Sequence, residues 1–149
     1  MYWSTETPDI IYRRMLLRPF DLLENIENYF LERMEERYFF KGNVVVREGE
    51  DSHSLYIIGT GHLAVLKRNE EGKDVEIATM QPGDFFGEMS FLKKQPRSST
   101  VIAKEHALLF EIAKERSADF LISNNPNVEE ELEKAVLRHR KNDAKQLGI

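Results

Sequence analysis

The stretch that could do chemistry is PGDFFGEMSFLKKQPRSSTV, residues 82–101. Gly87 has no side chain, so a ligand can approach its backbone closely. The residues after it, Glu88, Met89 and Ser90, read as the start of a short helix, whose first N–H groups suit an anion. Arg97 stands nine positions after Glu88 and follows Pro96, which restricts the backbone before it. A guanidinium presents two parallel donors that match phosphate oxygens. Ser98 and Ser99 add hydroxyl and backbone donors. Glu88 is the odd member, because a carboxylate repels phosphate; it makes sense as an acceptor for sugar hydroxyls.

One arginine with backbone dipoles balances about one negative charge. Neither a Lys-containing phosphate loop nor an acidic metal cluster accompanies the segment, as a magnesium-bound triphosphate would need. A cyclic monophosphate carries one charge and keeps a 2′-hydroxyl, so it suits the group. The rest of the composition narrows the alternatives. There are 149 residues and no Cys, which excludes disulfides and thiolate metal sites. The His residues at 53, 62, 106 and 139 form no H-x-H pair, so a cupin-like metal barrel is disfavoured and each reads as a surface or turn residue. The net charge is -5, a poor surface for duplex nucleic acid. No apolar run approaches the roughly 18 residues that span a bilayer. The start, MYWSTETPDIIYRRM, lacks a basic-then-apolar pattern, so a secretory leader is not expected and the cytoplasm is.

The elements around the segment follow from periodicity. Residues 8–36 read as helix interrupted at Pro19, with Leu22, Leu23, Ile26, Phe30 and Met34 at steps of three and four and Arg33, Glu35, Glu36 and Arg37 as a polar exit. From Arg37 the chain turns β-branched and aromatic. SLYIIG, HLAVLKRN, DVEIATM, STVIAK and ALLFEI read as strands, separated by Gly59-Thr60-Gly61, Glu70-Glu71-Gly72 and Pro82-Gly83-Asp84. Residues 69–73 read as a hairpin loop with Gly72 left-handed. GEMSFLKK fits one or two helical turns. From residue 114 the chain reads as helix again: first KERSADFLIS, then a helix capped by Asn125 with Pro126 at its first position. Val128, Leu132, Ala135 and Val136 form its apolar stripe. The expected organisation is a helical segment over 1–36, a β-domain over 37–113 and helices over 114–149.

This pattern resembles the cyclic nucleotide-binding domain family. FGEMSFLKKQPRSST is similar to that family's phosphate-binding cassette. VREGEDSHSLYIIGTGHLAVLKRNEEGKDVEIATMQPGD resembles the strands before it, including the glycines at 49, 61 and 83. The resemblance covers roughly residues 20–140. It implies a mainly β fold, an eight-stranded β-roll (a jelly roll or double-stranded β-helix) with flanking helices. It implies that Glu88 binds the ribose 2′-hydroxyl and Arg97 the exocyclic phosphate oxygens, with the backbone at Gly87, Ser90 and Ser98 completing the cradle beside Met89 and Ser99. By similarity to catabolite-activator-like members, Val65, Ile77, Ala78, Met80 and Phe86 line the pocket.

Three departures bear on the ligand. After the arginine, cyclic-AMP kinase domains have Ala, cyclic-GMP kinase domains Thr and catabolite activators Ser; here it is Ser98. Those activators read adenine with Thr-Ser in the last helix, where this chain has Asp143 and Ala144. The chain stops at Ile149, without the winged helix-turn-helix of the transcription factors or a catalytic domain. The expectation is therefore a non-enzymatic regulatory domain for a 3′,5′-cyclic nucleotide, cAMP with cGMP as the alternative. It would use no cofactor or metal and would signal to an unidentified downstream protein. The resemblance also implies a homodimer paired through the last helix. The competing expectation is an interaction module that keeps the fold without a ligand.

Overall fold

Thr7 opens the first helix in a computed structural model of the chain. Its hydroxyl accepts from the Ile10 N–H at 3.3 Å, and Pro8 takes the first helical position, where a missing N–H costs nothing. The structure describes residues 6–22, 24–113, 130, 133–135 and 137. Helix α1 spans Pro8–Leu17, and Pro19 converts its end to a 3-10 turn, Arg18–Phe20. Helix α2, Glu24–Arg33, lies against α1. The Arg13 guanidinium donates to the carbonyls of Leu31 and Met34 and so caps the end of α2.

The helical segment is shorter than its periodicity suggested. Strand β1 occupies Glu35–Phe39, so Glu35 and Glu36 are in a ladder and not in a polar helix exit. Pairing with the final strand decides this: Glu35 to Phe39 run opposite Glu111 to Ala107. Cross-strand pairing outweighs the modest helix preference of two glutamates.

The remaining strands are β2 Val44–Val46, β3 Leu55–Thr60, β4 Leu63–Arg68, β5 Asp74–Met80, β6 Phe85–Phe86, β7 Thr100–Ala103 and β8 Ala107–Ile112, with helix α3, Glu88–Lys93, between β6 and β7. They form two four-stranded antiparallel sheets, ordered β1-β8-β3-β6 and β2-β7-β4-β5. This is the expected eight-stranded β-roll. The hairpin at 69–73 is as read: Gly72 has φ 78, and the Asn69 carboxamide accepts from the amides of Glu71 and Lys73. Strand β6 was missed, because two residues carry no alternation.

Two apolar clusters hold the fold together, and β3 contributes to both. Leu55 and Ile57 join Phe85, Phe110 and Ile112 under Leu17, Phe20, Ile26 and Phe30 of the helical segment. Tyr56 and Ile58 face the other way, onto Val46, Leu63, Val65, Met80, Phe86, Val101 and Leu109 between the sheets. A strand covered on both faces reads as a continuous apolar run, as LYII does. Of the stripe in the last helix, only Ala135 lies among the described residues. It is packed into the helix-side cluster with Phe91 and Leu92 of α3. The expected helix at 114–123 and the Asn125 cap fall outside the described residues. Among those described, no helix is long and apolar enough to cross a membrane.

Phe110 is 1% exposed, and its ring lies 6.0 Å from Tyr12 and 5.2 Å from the Arg13 guanidinium carbon. Phe110→Ala is expected to cost about 3–5 kcal/mol in urea unfolding at neutral pH. A loss below about 1.5 kcal/mol would mean that the helices do not depend on this ring for docking.

Candidate functional site

Buried polar groups need a reason, because each must replace the water it gives up. Among the described residues the buried polar side chains are Asp84, Glu88, Ser90, Arg97 and Ser99, all within 84–99. Asp84 is explained by its turn, where its carboxylate accepts from the Gln81 amide at 2.8 Å. The other four belong to the segment that stood out in the sequence.

Arg97 is 3% exposed. Its backbone is stitched to the β2–β3 loop: the Arg97 amide donates to Glu50 O at 2.9 Å, and the Gly49 amide donates to Arg97 O at 2.7 Å. Its side chain is fixed as well. Nε donates to Ser52 Oγ at 2.9 Å, Nη1 donates to the Ser54 carbonyl at 2.9 Å, and the guanidinium carbon lies 5.8 Å from the Tyr56 ring centroid. Tyr56 in turn stacks on Phe86, with centroids 5.0 Å apart. Nη2 is buried and has no hydrogen-bond partner among the described residues. Two of the five guanidinium N–H groups therefore serve the protein, one on Nε and one on Nη1.

Burial holds the Arg97 guanidinium below its ordinary value, with Tyr56, Glu50 and Glu111 pulling back. An arginine stays charged regardless. The direction is that of a cation taken out of water by burial and only partly compensated by its neighbours.

Gly87 has φ 91 and caps α3. A Cβ there would lie 2.6 Å from Arg97 Nη1 and 2.6 Å from the Ser54 carbonyl oxygen. The Arg97 side chain and the Ser54 carbonyl thus fill the space that a side chain at 87 would need. Helix α3 has only six residues, so its dipole is a minor contributor and the guanidinium dominates the site's charge. Glu88 is 0% exposed in the first turn of α3.

A second layer supports the arginine. The Tyr56 hydroxyl donates to Glu111 Oε2 at 3.0 Å, and Arg37 Nε donates to Glu111 Oε1 at 2.8 Å. Burial alone would raise the Glu111 carboxyl, but hydrogen bonds from Ser54, Arg37 and Tyr56 outweigh it and hold it below 4.5. Burial, with Glu111 beside it, pushes the Tyr56 phenol well up, so it remains a neutral donor. His53 joins the β2–β3 loop to α3: Nδ1 lies 3.1 Å from the Ser90 carbonyl, and Nε2 lies 2.9 Å from Asp51.

The structure sets Gly87 against the Arg97 guanidinium, and the loop at 52–54 touches both Arg97 and the Ser90 carbonyl. Ser99 is buried, Ser98 is exposed and Met89 is half-buried. Val65, Met80 and Phe86 are in the cluster between the sheets, and Ala78 packs against it. Ile77 stands apart at 47% exposed. Val65 pairs with Ala78 and Leu66 with Glu76, which leaves Ile77 as the extra residue of a β-bulge. Sequence reasoning missed Ser52, Ser54, Tyr56 and Lys67. The polar run EDSHS was the available signal, but nothing in its spacing points to a residue more than 40 positions away. Among the described residues, no cluster of three metal-ligating side chains exists.

Residues 36–124 match the family model of the cyclic nucleotide-binding domain. The chain belongs to this family. Over 99 residues, 62% of this chain, it is 33% identical to cGMP-dependent protein kinase 2 of Homo sapiens and 32% identical to the cAMP-dependent protein kinase regulatory subunit of Blastocladiella emersonii. It spans only 13% and 25% of the lengths of these two relatives. The regulatory domain of Toxoplasma gondii PKA, crystallised with cAMP, superposes with a TM-score of 0.69 at 26% identity, covering 76% of this chain and 45% of that one. The Thermus thermophilus catabolite activator protein gives 0.67 at 26% identity, covering 85% of this chain and 59% of that one.

The acid network gives a testable consequence for this cyclic nucleotide-binding domain. The folded form holds Glu111 ionised more firmly than the unfolded chain does. Its stabilisation is therefore complete above about pH 4.5 and is lost as pH falls through the depressed folded value. Glu111→Gln is expected to lower the melting temperature at pH 7, with the gap to wild type closing in melts at about pH 3.5. An equal gap at both pH values would detach Glu111 from the acid limb.

Proposed function

We propose that this domain is a non-catalytic sensor of a 3′,5′-cyclic nucleotide, cAMP in the first instance. The observation that carries the reading is Arg97: a buried cation with two nitrogens fixed by the protein and Nη2 left without a partner among the described residues, beside Gly87 and the start of α3. A single phosphate charge matches it. Glu88, on the same short helix, takes the ribose 2′-hydroxyl. The backbone at Gly87, Met89, Ser90, Ser98 and Ser99 completes the cradle, while Val65, Ala78, Met80 and Phe86, with the exposed Ile77, supply apolar contact to sugar and base. Relatives of both the cAMP and cGMP kinases match this chain, so both nucleotides belong in the titration.

The readout runs through α3. Phe91 and Leu92 share an apolar cluster with Ala135, and Lys93 pairs with Glu133 at 3.1 Å. A ligand that pulls on the N-terminal side of α3 changes what the C-terminal helical residues pack against. For the ligand to act as a signal, it must bind the two helix arrangements unequally. The changed surface is offered to a downstream protein or to a second copy through the last helix, in the cytoplasm. The competing reading, an interaction module with an unused pocket, is separated by calorimetry: it requires no heat with cAMP or cGMP at hundreds of micromolar.

Two variants locate the phosphate and the sugar. Arg97→Ala is expected to cost about 2–5 kcal/mol in binding, on the order of 30- to 4,000-fold. Because Arg97 also ties down Ser52 and Ser54, Arg97→Lys serves as the companion that keeps the charge, and melts of both variants check the fold. A loss below about threefold in folded protein puts the phosphate elsewhere. Glu88→Ala is expected to weaken cAMP far more than 2′-deoxy-cAMP; equal losses remove Glu88 from the sugar.

A further inference from the structure

Lys67 lies outside the cassette and has no part in the reading above. It follows Val65 by two positions on β4, and strand residues two apart share a face. Val65 is 0% exposed and belongs to the cluster between the sheets. The bulge that disturbs this hairpin sits on β5, at Ile77, so the alternation of β4 continues unbroken to Lys67. Lys67 therefore projects from the inner face where the sheet reaches solvent. Its ammonium donates to the carbonyl of Ser98, the residue after Arg97.

That position gains meaning from the accounting at Arg97. Ser52 Oγ takes Nε and the Ser54 carbonyl takes Nη1, which leaves Nη2 as the one guanidinium nitrogen without a partner among the described residues. A phosphodiester carries two exocyclic oxygens that share its charge. Arg97 keeps N–H groups for these oxygens but brings only one charge, and the bonds to Ser52 and Ser54 fix the direction in which they point. A lysine ammonium has three donors on a flexible stem, so one donor can stay on the Ser98 carbonyl while another turns to an anion.

We propose that Lys67 is a second cationic phosphate contact, which adds a charge-assisted donor from the Ser98 side of the cassette. This rests on the cyclic-nucleotide reading and deepens it. Arg97 is the enclosed, pre-positioned contact. Lys67 is the exposed one at the rim, and it reaches the phosphate through the Ser98 end of the cassette. Being exposed, its contribution is screened by salt, whereas that of Arg97 is screened far less.

The test is Lys67→Gln, which keeps a donor for the Ser98 carbonyl and removes the charge, with Lys67→Arg as the charge-retaining companion. Dissociation constants for cAMP are measured by calorimetry from 20 mM to 500 mM KCl. At low salt, Lys67→Gln is expected to weaken binding about tenfold, as for a charge-assisted hydrogen bond, with Lys67→Arg within about threefold of wild type. The affinity of Lys67→Gln should also fall less steeply with KCl than that of wild type. A change under about twofold, or an unaltered salt dependence, overturns the proposal and leaves the nucleotide reading standing. A loss in Lys67→Arg as large as in Lys67→Gln also overturns it, since that marks a packing role. Wild-type protein that binds neither cAMP nor cGMP overturns both readings.

Discussion

The site depends on one desolvated guanidinium. Arg97 lies where the β2–β3 loop, the start of α3 and the Tyr56 ring meet, and each of these sets a different part of it. The loop holds its backbone and two of its nitrogens. Gly87 leaves the space that it fills. Tyr56 supplies an aromatic face, a favourable environment for a cation that has lost water. Among the described residues no carboxylate is shown hydrogen-bonded to it, and burial holds the guanidinium below its ordinary value.

The geometry around that charge explains features that look unrelated in the sequence. Ser52 and Ser54 belong to a polar loop, yet one offers a hydroxyl and the other a carbonyl to the same side chain. Tyr56 comes from β3, where its ring serves the core between the sheets and its hydroxyl reaches Glu111. Glu111 bonds Arg37, so β8 and β1 are joined behind the site. The chain of contacts from Arg97 to Arg37 runs over β3, β8 and β1, three of the four strands of one sheet. The neutral Tyr56 separates the Arg97 guanidinium from the Glu111–Arg37 ion pair, and no two like charges are adjacent along it.

Much of this was legible in advance, and for physical reasons. Strands such as LYIIGT and LAVLKR announce themselves because half or more of their residues are buried. Arg97 and Glu88 stood out because charges cost too much to bury by accident. What could not be read is equally instructive. Glu35 and Glu36 are exposed or half-buried residues that either helix or strand would accept, so only the partner strand β8 decides their state. Strand β6 is two residues long and exists because Tyr56 and Ile57 lie opposite it. The loop at 50–54 acts through contacts with residues more than 35 positions away, and local spacing holds no record of such pairs. How many of the arginine's N–H groups the protein itself would occupy was likewise invisible, since it turns on a serine hydroxyl and a carbonyl from that loop.

Helix α3 and its glycine cap carry a consequence for how recognition is timed. Gly87 fits so tightly against the Ser54 carbonyl and Arg97 that the guanidinium has little room to rotate away. Its conformational freedom is given up when the polypeptide folds, well before any nucleotide arrives. A visiting molecule thus meets a receptor whose principal contact is already immobile, and the ordering entropy that weakens adaptable sites falls here on folding instead.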